Sequence, residues 1–421
     1  MSDKWDEYDK DSRVACKYGS KCYQKNPNHH ATYKHPPQQK RGKKQNNRLH
    51  PYKKANKPEI QTNPDKNEKE SKKLKEASTS SSINKTHEDN ILPDKYETTS
   101  HLQIPETITY YDKDTDPSIL KELFLVEMPP DFFKFYEALN GIDNTIEKTL
   151  SSVNLELIGP YDLLMGKLPK LDDKELYLIH WRFFYDPPEF QAVLKKKGNS
   201  QYHIGYFRDI PDEKPVFLAS NDSAKGCSIN LMSDNIFGAV YMYLQDEKKS
   251  SPFTAMACDK LISKIKKIAE ENNYSLEEYN LKKRWSQAVT KTFHGAGIVV
   301  PYNKKTELGY RHLIESDANI KKMFAKLQAA DSQSEKDKIL SELQPVITYA
   351  NIAVDECDFG TGLEIGIALF CSGLKILEQN ALNNLTTTYT LLQRTAFNKI
   401  VQAHIKYRRR GSNMSVLASS P

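Results

Sequence analysis

The chain has 421 residues, of which 38% are apolar and 28% are charged, and its formal net charge is +6. This length leaves room for two domains plus tails, but the low apolar content predicts that part of the chain stays unfolded. Its apolar runs fall short of the about 18 residues that a membrane helix needs, so we expect no membrane span.

Cysteines are few and widely spaced, and their number and spacing indicate the cellular compartment in which the protein folds. The six are Cys16, Cys22, Cys227, Cys258, Cys357 and Cys371. Only the first two are close in sequence, and nothing ahead of them resembles a signal peptide, which argues against a disulfide framework. We therefore expect a soluble intracellular protein, and nothing in the sequence requires more than a monomer.

The first motif is CKYGSKCYQKNPNHHATYKHP, over Cys16–Pro36. It supplies two thiolates and two imidazoles, a ligand set that suits tetrahedral zinc, from Cys16, Cys22, His29 and His35. His30 is a less favoured alternative to His29. Because this segment is too short to bury a hydrophobic core, bound metal would have to supply its folding free energy. The alternative is a disordered tail that happens to contain Cys and His.

Tyrosines and lysines are interleaved within this motif. Tyr18 and Tyr23 would offer stacking faces to bases, and the neighbouring lysines would attract phosphate. The spacing closely resembles that of the poly(ADP-ribose)-binding zinc finger, although Gln24 stands where a basic residue is common. This resemblance implies that the two tyrosines stack on adenine of the polymer. Alternatively, they only pack against the metal site.

Residues 38–100 are rich in Lys, Asn, Gln, Ser and Glu and nearly lack large apolar side chains. This composition predicts a disordered basic linker that tethers the finger, residues 13–37, to the remainder of the chain. Two basic clusters, Lys40–Lys44 and Lys53–Lys54, are compatible with nuclear import or nucleic-acid binding. A plain solvated tail is an equal alternative.

The next segment, residues 101–248, has the pattern of an α+β domain. Pro130 and Asp131 mark the start of a predicted helix that ends before Gly141. Segments rich in aromatic and β-branched residues predict strands at Gln201–Arg208, Pro215–Ala219, Cys227–Leu231 and Ile236–Leu244. We therefore predict a mixed sheet with helices on one side.

Residues 249–412 are predicted to form a mostly helical domain, followed by a tail at residues 413–421. Helical spacing is clearest for five apolar residues, Cys258, Leu261, Ile262, Ile265 and Ile268. A further helix is predicted over Thr386–Arg410. Its basic end, Arg408–Arg410, would complement the helix dipole or lie in solvent.

The central segment of this predicted helical domain is residues 351–373, which read NIAVDECDFGTGLEIGIALFCSG. Its apolar part, Leu363–Cys371, predicts a helix that is buried on most sides. Gly360 and Gly362 would allow a tight backbone just before that helix.

An acidic group, Asp355, Glu356 and Asp358, precedes the predicted buried helix. One interpretation is that these carboxylates cap the helix and complement its dipole. The other is that like charges crowd together, which would raise one pKa and create a proton acceptor. Sequence spacing leaves both open.

Two long segments of this half resemble the histone PARylation factor family. They are Phe293–Arg311, which reads FHGAGIVVPYNKKTELGYR, and Asn351–Cys371, which contains DECDFGTGLEIGIALFC. The resemblance runs over most of Ile108–Ala403. It implies an accessory factor that docks on the catalytic domain of a nuclear poly(ADP-ribose) polymerase and redirects modification to serine, notably on histones.

The resemblance also implies roles for individual residues. Glu356 would be the catalytic carboxylate of a joint active site, with the partner interface formed by Asp355, Cys357, Asp358, Tyr310 and Arg311. Zinc in the finger would be the cofactor of the chain itself. NAD would be a substrate that the partner polymerase binds, so the chain would not be an enzyme alone.

The chemistry of serine supports this assignment. A serine hydroxyl is a poor nucleophile at neutral pH, so its attack on the ribose C1 of NAD needs a positioned base. An acidic edge would also attract lysine-rich histone tails. The expected location is the nucleus, at chromatin and sites of DNA damage. Two alternatives stay open: a poly(ADP-ribose)-binding adaptor in which Glu356 is structural, and an ADP-ribosyl hydrolase.

Overall fold

The computed structural model describes residues 8, 10–16, 31–36, 107–140, 145–250 and 252–418. The chain divides into two units, Met1–His87 and Glu88–Pro421. In these described ranges, no helix combines the length and the apolar character that crossing a membrane requires.

The first unit contains a short parallel pair of strands, β1 (Val14–Ala15) and β2 (Tyr33–Lys34). The side-chain ammonium of Lys34 donates to the carbonyl oxygen of Asp11 at 2.8 Å. This contact ties the second strand to the segment that leads into the first.

The second unit begins with short helices, α1 (Ile119–Phe124), α2 (Pro130–Leu139), α3 (Ile146–Ser151), α4 (Tyr161–Leu164) and α5 (Glu175–Ile179). The predicted start of α2 is confirmed, with proline in the first turn, where its missing N–H has no helical partner to lose. Phe132, Phe135 and Leu139 are buried at helical spacing, so α2 packs its apolar face on the core.

A five-stranded antiparallel sheet has its strands in chain order. They are β3 (Leu155–Leu157), β4 (Phe190–Lys196), β5 (Tyr202–Phe207), β6 (Phe217–Asp222) and β7 (Asn230–Ser233). The prediction of a mixed sheet is wrong, because the connections between β4 and β7 are too short for a parallel crossover. Three of the predicted strands overlap β5, β6 and β7, whereas β3 and β4 have no predicted counterpart.

The fourth predicted strand, Ile236–Leu244, is a helix. It forms the first part of α6 (Ile236–Ser250). Its large apolar buried residues are spaced by one, three and four positions, as on one helix face: Ile236, Phe237, Val240, Tyr243 and Leu244. Aromatic and β-branched content favoured a strand there, but strand propensity yields to packing context.

The remainder of the described second unit is mostly helical, apart from residues 288–316, which confirms the α+β class with a helical C-terminal region. The helices are α7 (Ala255–Asn272), α8 (Leu281–Gln287), α9 (Asp317–Ala329), α10 (Gln333–Asp355), α11 (Phe359–Ser372), α12 (Glu378–Leu391) and α13 (Thr395–Lys406). One hydrophobic cluster takes residues from both halves of this unit. The boundary expected between residues 248 and 249 stays a prediction.

Helix α11 lies in the centre of this region. Every residue from Gly360 to Phe370 is buried, which confirms the predicted buried helix. Gly360 and Gly362 lie inside α11 rather than in a turn ahead of it. Their role is close packing, because a Cβ on Gly362 would lie 2.8 Å from Oγ1 of Thr388 on α12. The missing side chains let α11 approach its neighbours.

The predicted helix Thr386–Arg410 is in fact two helices, α12 and α13, with a break between them. Gln393 in this break has a φ of 57°. This left-handed backbone conformation is incompatible with a continuous right-handed helix. The chain therefore changes direction after Leu392, the C-cap of α12.

Arg408 is buried, which corrects the expectation of a solvated basic end. Its guanidinium stacks between the rings of Phe184 and Phe370, 3.9 and 4.0 Å from their centroids, and donates to both carbonyl oxygens. A carboxylate oxygen of Glu378 lies 3.6 Å away. A buried cation needs such partners, so Arg408 fastens the C-terminal segment to α11.

Candidate functional site

Helices α10 and α11 are joined by a tight turn over residues 356–358. The amide of Cys357 donates to the carbonyl of Val354 at 2.9 Å, and the amide of Asp358 donates to that of Ala353 at 2.8 Å. This pair of hydrogen bonds is a Schellman motif, in which the residue at the Cys357 position is usually glycine. Cys357 has a φ of 66°. The motif fixes the direction in which the acidic side chains project.

The acidic group spans the junction of the two helices, and only Asp358 occupies the N-cap position of α11 that the capping interpretation requires. Asp355 is the last residue of α10, and Glu356 is its C-cap. Asp358 precedes α11, but its side chain makes no capping hydrogen bond to that helix. Asp355 and Glu356 are exposed, whereas Asp358 is buried. The three carboxylates therefore have different surroundings.

Arg311 bridges Glu356 and Asp358. Its Nη2 donates to Oε2 of Glu356 at 2.5 Å, and its Nε donates to Oδ2 of Asp358. The cation offsets both the crowding of like charges and the unfavourable position of carboxylates at a helix C-terminus. Burial lowers the pKa of Arg311, but the hydrogen bonds to the two carboxylates outweigh burial and raise it above its ordinary value.

The bridge is partly open to solvent. The side chain of Glu356 is 58% exposed and that of Arg311 is 31% exposed, whereas that of Asp358 is 7% exposed. One end of the bridge therefore rests on a buried carboxylate, and the other end reaches the surface.

The segment Gly309–Arg311 lies along the first turn of α11. The amide of Gly309 donates to Oδ1 of Asp358 at 2.8 Å, and its φ of 111° suits glycine. The hydroxyl of Thr361 accepts from the amide of Arg311 at 2.9 Å and donates to its carbonyl at 2.6 Å. These contacts explain how two segments far apart in sequence hold Arg311 beside the turn.

Tyr310 points inward, toward α11. Its hydroxyl donates to Oε2 of Glu364 at 3.2 Å and lies 3.1 Å from Nδ1 of His312. Thr290 donates to Oε1 of Glu364 at 2.8 Å. Tyr310 and Glu364 are 5% and 6% exposed. Tyr310 therefore anchors the segment that carries Arg311 to the buried helix.

Glu364 is a carboxyl in an apolar helix, and its surroundings change its acidity. Burial raises the pKa of Glu364 to about 7, against the opposing effect of the hydrogen bonds from Thr290 and Tyr310. The negative charge of Asp317 adds to the increase. Glu364 therefore changes its protonation near neutral pH.

In the first unit, the parallel strand pair places two predicted zinc ligands at the same end. Cys16 follows β1 and His35 follows β2, after the register pair Ala15 and Lys34, and Cys16 is buried. Thiol and imidazole groups are ligands that zinc binds. No group of three potential metal ligands occurs within the described ranges, and the other predicted finger residues lie outside them: Tyr18, Cys22, Tyr23 and His29.

Comparison with known protein families shows the family to which the second unit is related. The protein-family model described as Histone PARylation factor 1 matches residues 115–408 of the sequence. The chain belongs to the histone PARylation factor 1 family. Within the first unit, residues 13–38 match the PBZ domain, which confirms the predicted N-terminal zinc finger.

Relatives named Histone PARylation factor 1 cover most of the chain. The Danio rerio protein is 39% identical over 306 residues, which is 71% of this chain and 87% of that protein. The Bos taurus protein is 39% identical over 299 residues, covering 68% and 84%. The Mus musculus protein is 38% identical over 316 residues, covering 71% and 89%.

For this member of the histone PARylation factor 1 family, the structure brings most of the predicted site residues together. Arg311, Glu356 and Asp358 are in direct contact, and Cys357 and Asp355 are exposed beside them. Tyr310 lies beneath this surface rather than on it. The roles of these residues in catalysis and docking stay predictions.

Sequence reasoning missed Glu364 and Thr290, which support Tyr310 from below. A signal for Glu364 was present, since it is a charged residue inside the apolar run Leu363–Cys371. Buried carboxyls are rare unless they are hydrogen-bonded. Such an interruption therefore indicates an internal hydrogen-bond partner, although it does not identify one.

Glu364→Gln should change the pH dependence of stability. Between the ordinary Glu pKa of about 4.3 and about 7, folded wild-type protein keeps a proton that the unfolded chain has lost. Its free energy of unfolding therefore falls as pH rises through this window. The glutamine cannot ionise, so its stability relative to wild type should rise by on the order of 3 kcal/mol between pH 4 and 8.

Denaturant unfolding at a series of pH values measures this difference. Glu342→Gln, an exposed change on α10, serves as the control and should show a nearly constant difference from wild type. A constant difference for Glu364→Gln as well would contradict the assigned environment of this carboxyl.

Proposed function

We propose that this chain docks on the catalytic domain of a poly(ADP-ribose) polymerase and completes its active site with Glu356. The joint enzyme would transfer ADP-ribose from NAD to serine, notably on histones, in the nucleus after DNA damage. One observation carries the proposal: Glu356 is an exposed carboxylate, held by a hydrogen-bonded helix junction. The name of the relatives, Histone PARylation factor 1, supports a histone substrate.

In the proposed reaction, Glu356 acts as the base. As the serine oxygen bonds to the ribose C1, its proton passes to a carboxylate oxygen of Glu356, and the bond from C1 to nicotinamide breaks. The partner polymerase would bind NAD and position the ribose. The chain alone would therefore not be an enzyme, because it contributes one group to a site that two proteins form.

The ion pair between Arg311 and Glu356 would define the resting state. Exposed ion pairs contribute about 0–1 kcal/mol, so a docking partner can replace this contact at small cost. The contact of Arg311 with Asp358 involves a buried carboxylate, so it should persist and keep the guanidinium in position. Docking would thus release Glu356 for catalysis while Arg311 stays at the interface.

Charge supports the choice of substrate. Asp355 and Glu356 are exposed next to each other, and an acidic edge attracts the lysine-rich tails of histones. Asp355 would therefore contribute to substrate capture without taking part in proton transfer.

The finger would recruit this activity to polymer that has already been made. Zinc would be held by Cys16, Cys22, His29 and His35, and Tyr18 and Tyr23 would stack on adenine of poly(ADP-ribose). A tethered second binding module raises the effective concentration of the first near its target. We propose that the chain acts in this way as a monomer at chromatin.

Arg311→Ala should weaken docking on the polymerase catalytic domain. Removing a charged hydrogen-bonding residue at an interface commonly costs about 2–4 kcal/mol, or about 30-fold or more in affinity. Arg311→Lys should rescue little, because an ammonium does not reproduce the fork that bridges two carboxylates. Isothermal titration calorimetry measures the effect, with Lys322→Ala, an exposed charge change on α9, as the control. Equal affinity of Arg311→Ala and wild type would place the interface elsewhere.

The direct test of the proposed function uses wild-type protein. A polymerase catalytic domain, NAD and a histone peptide are incubated with and without the chain, and mass spectrometry locates the modified residues. Serine modification that requires the chain supports the proposal. If serine is unmodified but the chain still binds the polymerase and polymer, the adaptor alternative holds. Loss of ADP-ribose from a modified peptide without polymerase would indicate a hydrolase.

A further inference from the structure

Two cysteines from distant parts of the sequence meet at the C-terminal end of α11. Cys371 lies in the last turn of α11, and Cys227 lies in the connection between β6 and β7. Their Sγ atoms are 3.0 Å apart, although the two residues are 144 positions apart in the sequence. Both residues are half-buried.

The surroundings hold these two thiols opposite each other. The Sγ of Cys227 lies 3.4 Å from the carbonyl oxygen of Tyr185. Gly373, the C-cap of α11, approaches Tyr185 so closely that an added Cβ would lie 2.6 Å from its hydroxyl. Arg408 donates to the carbonyl of Phe370, one residue before the second cysteine, at 3.0 Å. Tyr185 and Arg408 therefore restrain both backbone segments.

We propose that Cys227 and Cys371 form a reversible disulfide when the protein meets a hydroperoxide, and that this bond fastens α11 to the sheet. Bonded sulfurs are about 2 Å apart, so the thiols need to approach by only about 1 Å. In a reducing compartment such a bond forms transiently and reports on oxidants. This modification site is independent of the docking surface, which lies at the opposite end of α11.

The reaction balances with one hydroperoxide for two thiols. We assign the first attack to the thiolate of Cys371, since the thiolate is the nucleophile, and the reaction balances equally if Cys227 attacks first. The sulfur of Cys371 bonds to a peroxide oxygen as the O–O bond breaks, which gives a sulfenic acid and, from hydrogen peroxide, water. The sulfur of Cys227 then attacks that of Cys371, the S–O bond breaks, and a second water leaves. Two electrons pass from the thiols to the peroxide.

The experiment treats zinc-loaded, full-length protein with graded hydrogen peroxide and alkylates the remaining thiols. Peptide mass spectrometry should detect a cross-link between Cys227 and Cys371 that dithiothreitol reverses. The midpoint of thermal unfolding of the oxidised protein should rise by a few degrees, because a cross-link across a long loop restricts the unfolded chain. Cys357→Ser, which alters an exposed cysteine outside the pair, should retain both effects.

Cys227→Ala and Cys371→Ala, tested separately, should each lose the cross-link and the thermal shift. The wild-type mapping needs no variant, so the proposal stays testable if a variant folds poorly. It is overturned if oxidant that fully modifies Cys357 leaves no cross-link between Cys227 and Cys371. It is also overturned if either alanine variant shows the same reversible thermal shift as wild type.

Discussion

Glu356→Gln should abolish serine ADP-ribosylation by the joint enzyme while leaving the complex nearly intact. Glutamine keeps the size of the side chain and can still accept a hydrogen bond from Arg311, but it cannot take the serine proton. A positioned general base contributes about 10²–10⁴-fold to rate, so serine modification should fall by that factor. Mass spectrometry of the modified histone peptide measures the loss, at saturating concentrations of the variant.

A matched control distinguishes the loss of the carboxylate at position 356 from the loss of a negative charge elsewhere on the same helix. Glu342→Gln makes the same chemical change at an exposed site on the same helix, α10. It lies about 20 Å from Glu356 along the helix axis at 1.5 Å per residue. Serine modification should be unchanged in this control. Full activity of Glu356→Gln would refute the catalytic assignment, and loss of binding by calorimetry would show a structural effect instead.

Cys16→Ala or His35→Ala should release zinc and abolish binding of the chain to poly(ADP-ribose). A small finger without metal has too little apolar surface to stay folded, so metal loss and unfolding coincide. Serine modification in dilute solution should persist in both variants, because it would depend on Glu356 rather than on the finger. Emission spectroscopy counts the zinc, and filter retention measures polymer binding.

Tyr23→Ala tests the stacking role apart from the metal. Zinc should be retained, and polymer affinity should fall by about 1–3 kcal/mol if one base stacks on this ring. Cys357→Ser, a cysteine outside the finger, should change neither zinc content nor polymer binding. If Tyr23→Ala also lost its zinc, the tyrosine would belong to the metal core. Retention of both properties by Cys16→Ala would contradict the zinc-finger assignment.

Local patterns were sufficient for much of the fold, but not where two patterns compete. The buried helix over Leu363–Cys371 was predictable because an apolar run of that length has few other structures. Ile236–Leu244 was misassigned because residue preference favours a strand, while the spacing of its buried residues favours a helix. The spacing was the better guide there, since packing on the core selects the face that is buried.

The site was harder to predict, because its contacts join residues that are far apart in the chain. Arg311 and Glu356 are 45 positions apart, and no periodic pattern connects them. The resemblance to a family selected both residues, but only the fold shows that they form an ion pair. The same holds for Glu364, whose partners Thr290 and Tyr310 lie 74 and 54 positions away.

The hydrogen bonds around the junction have a consequence for the thermodynamics of association. Thr361 fixes the backbone of Arg311, and the Schellman motif fixes the turn that carries Glu356. Ordering one backbone residue costs about 1–2 kcal/mol of conformational entropy. Here that entropy is already lost when the chain folds. A partner that docks here, as proposed, would meet a surface that needs little further ordering, so more of the interface free energy would remain as affinity.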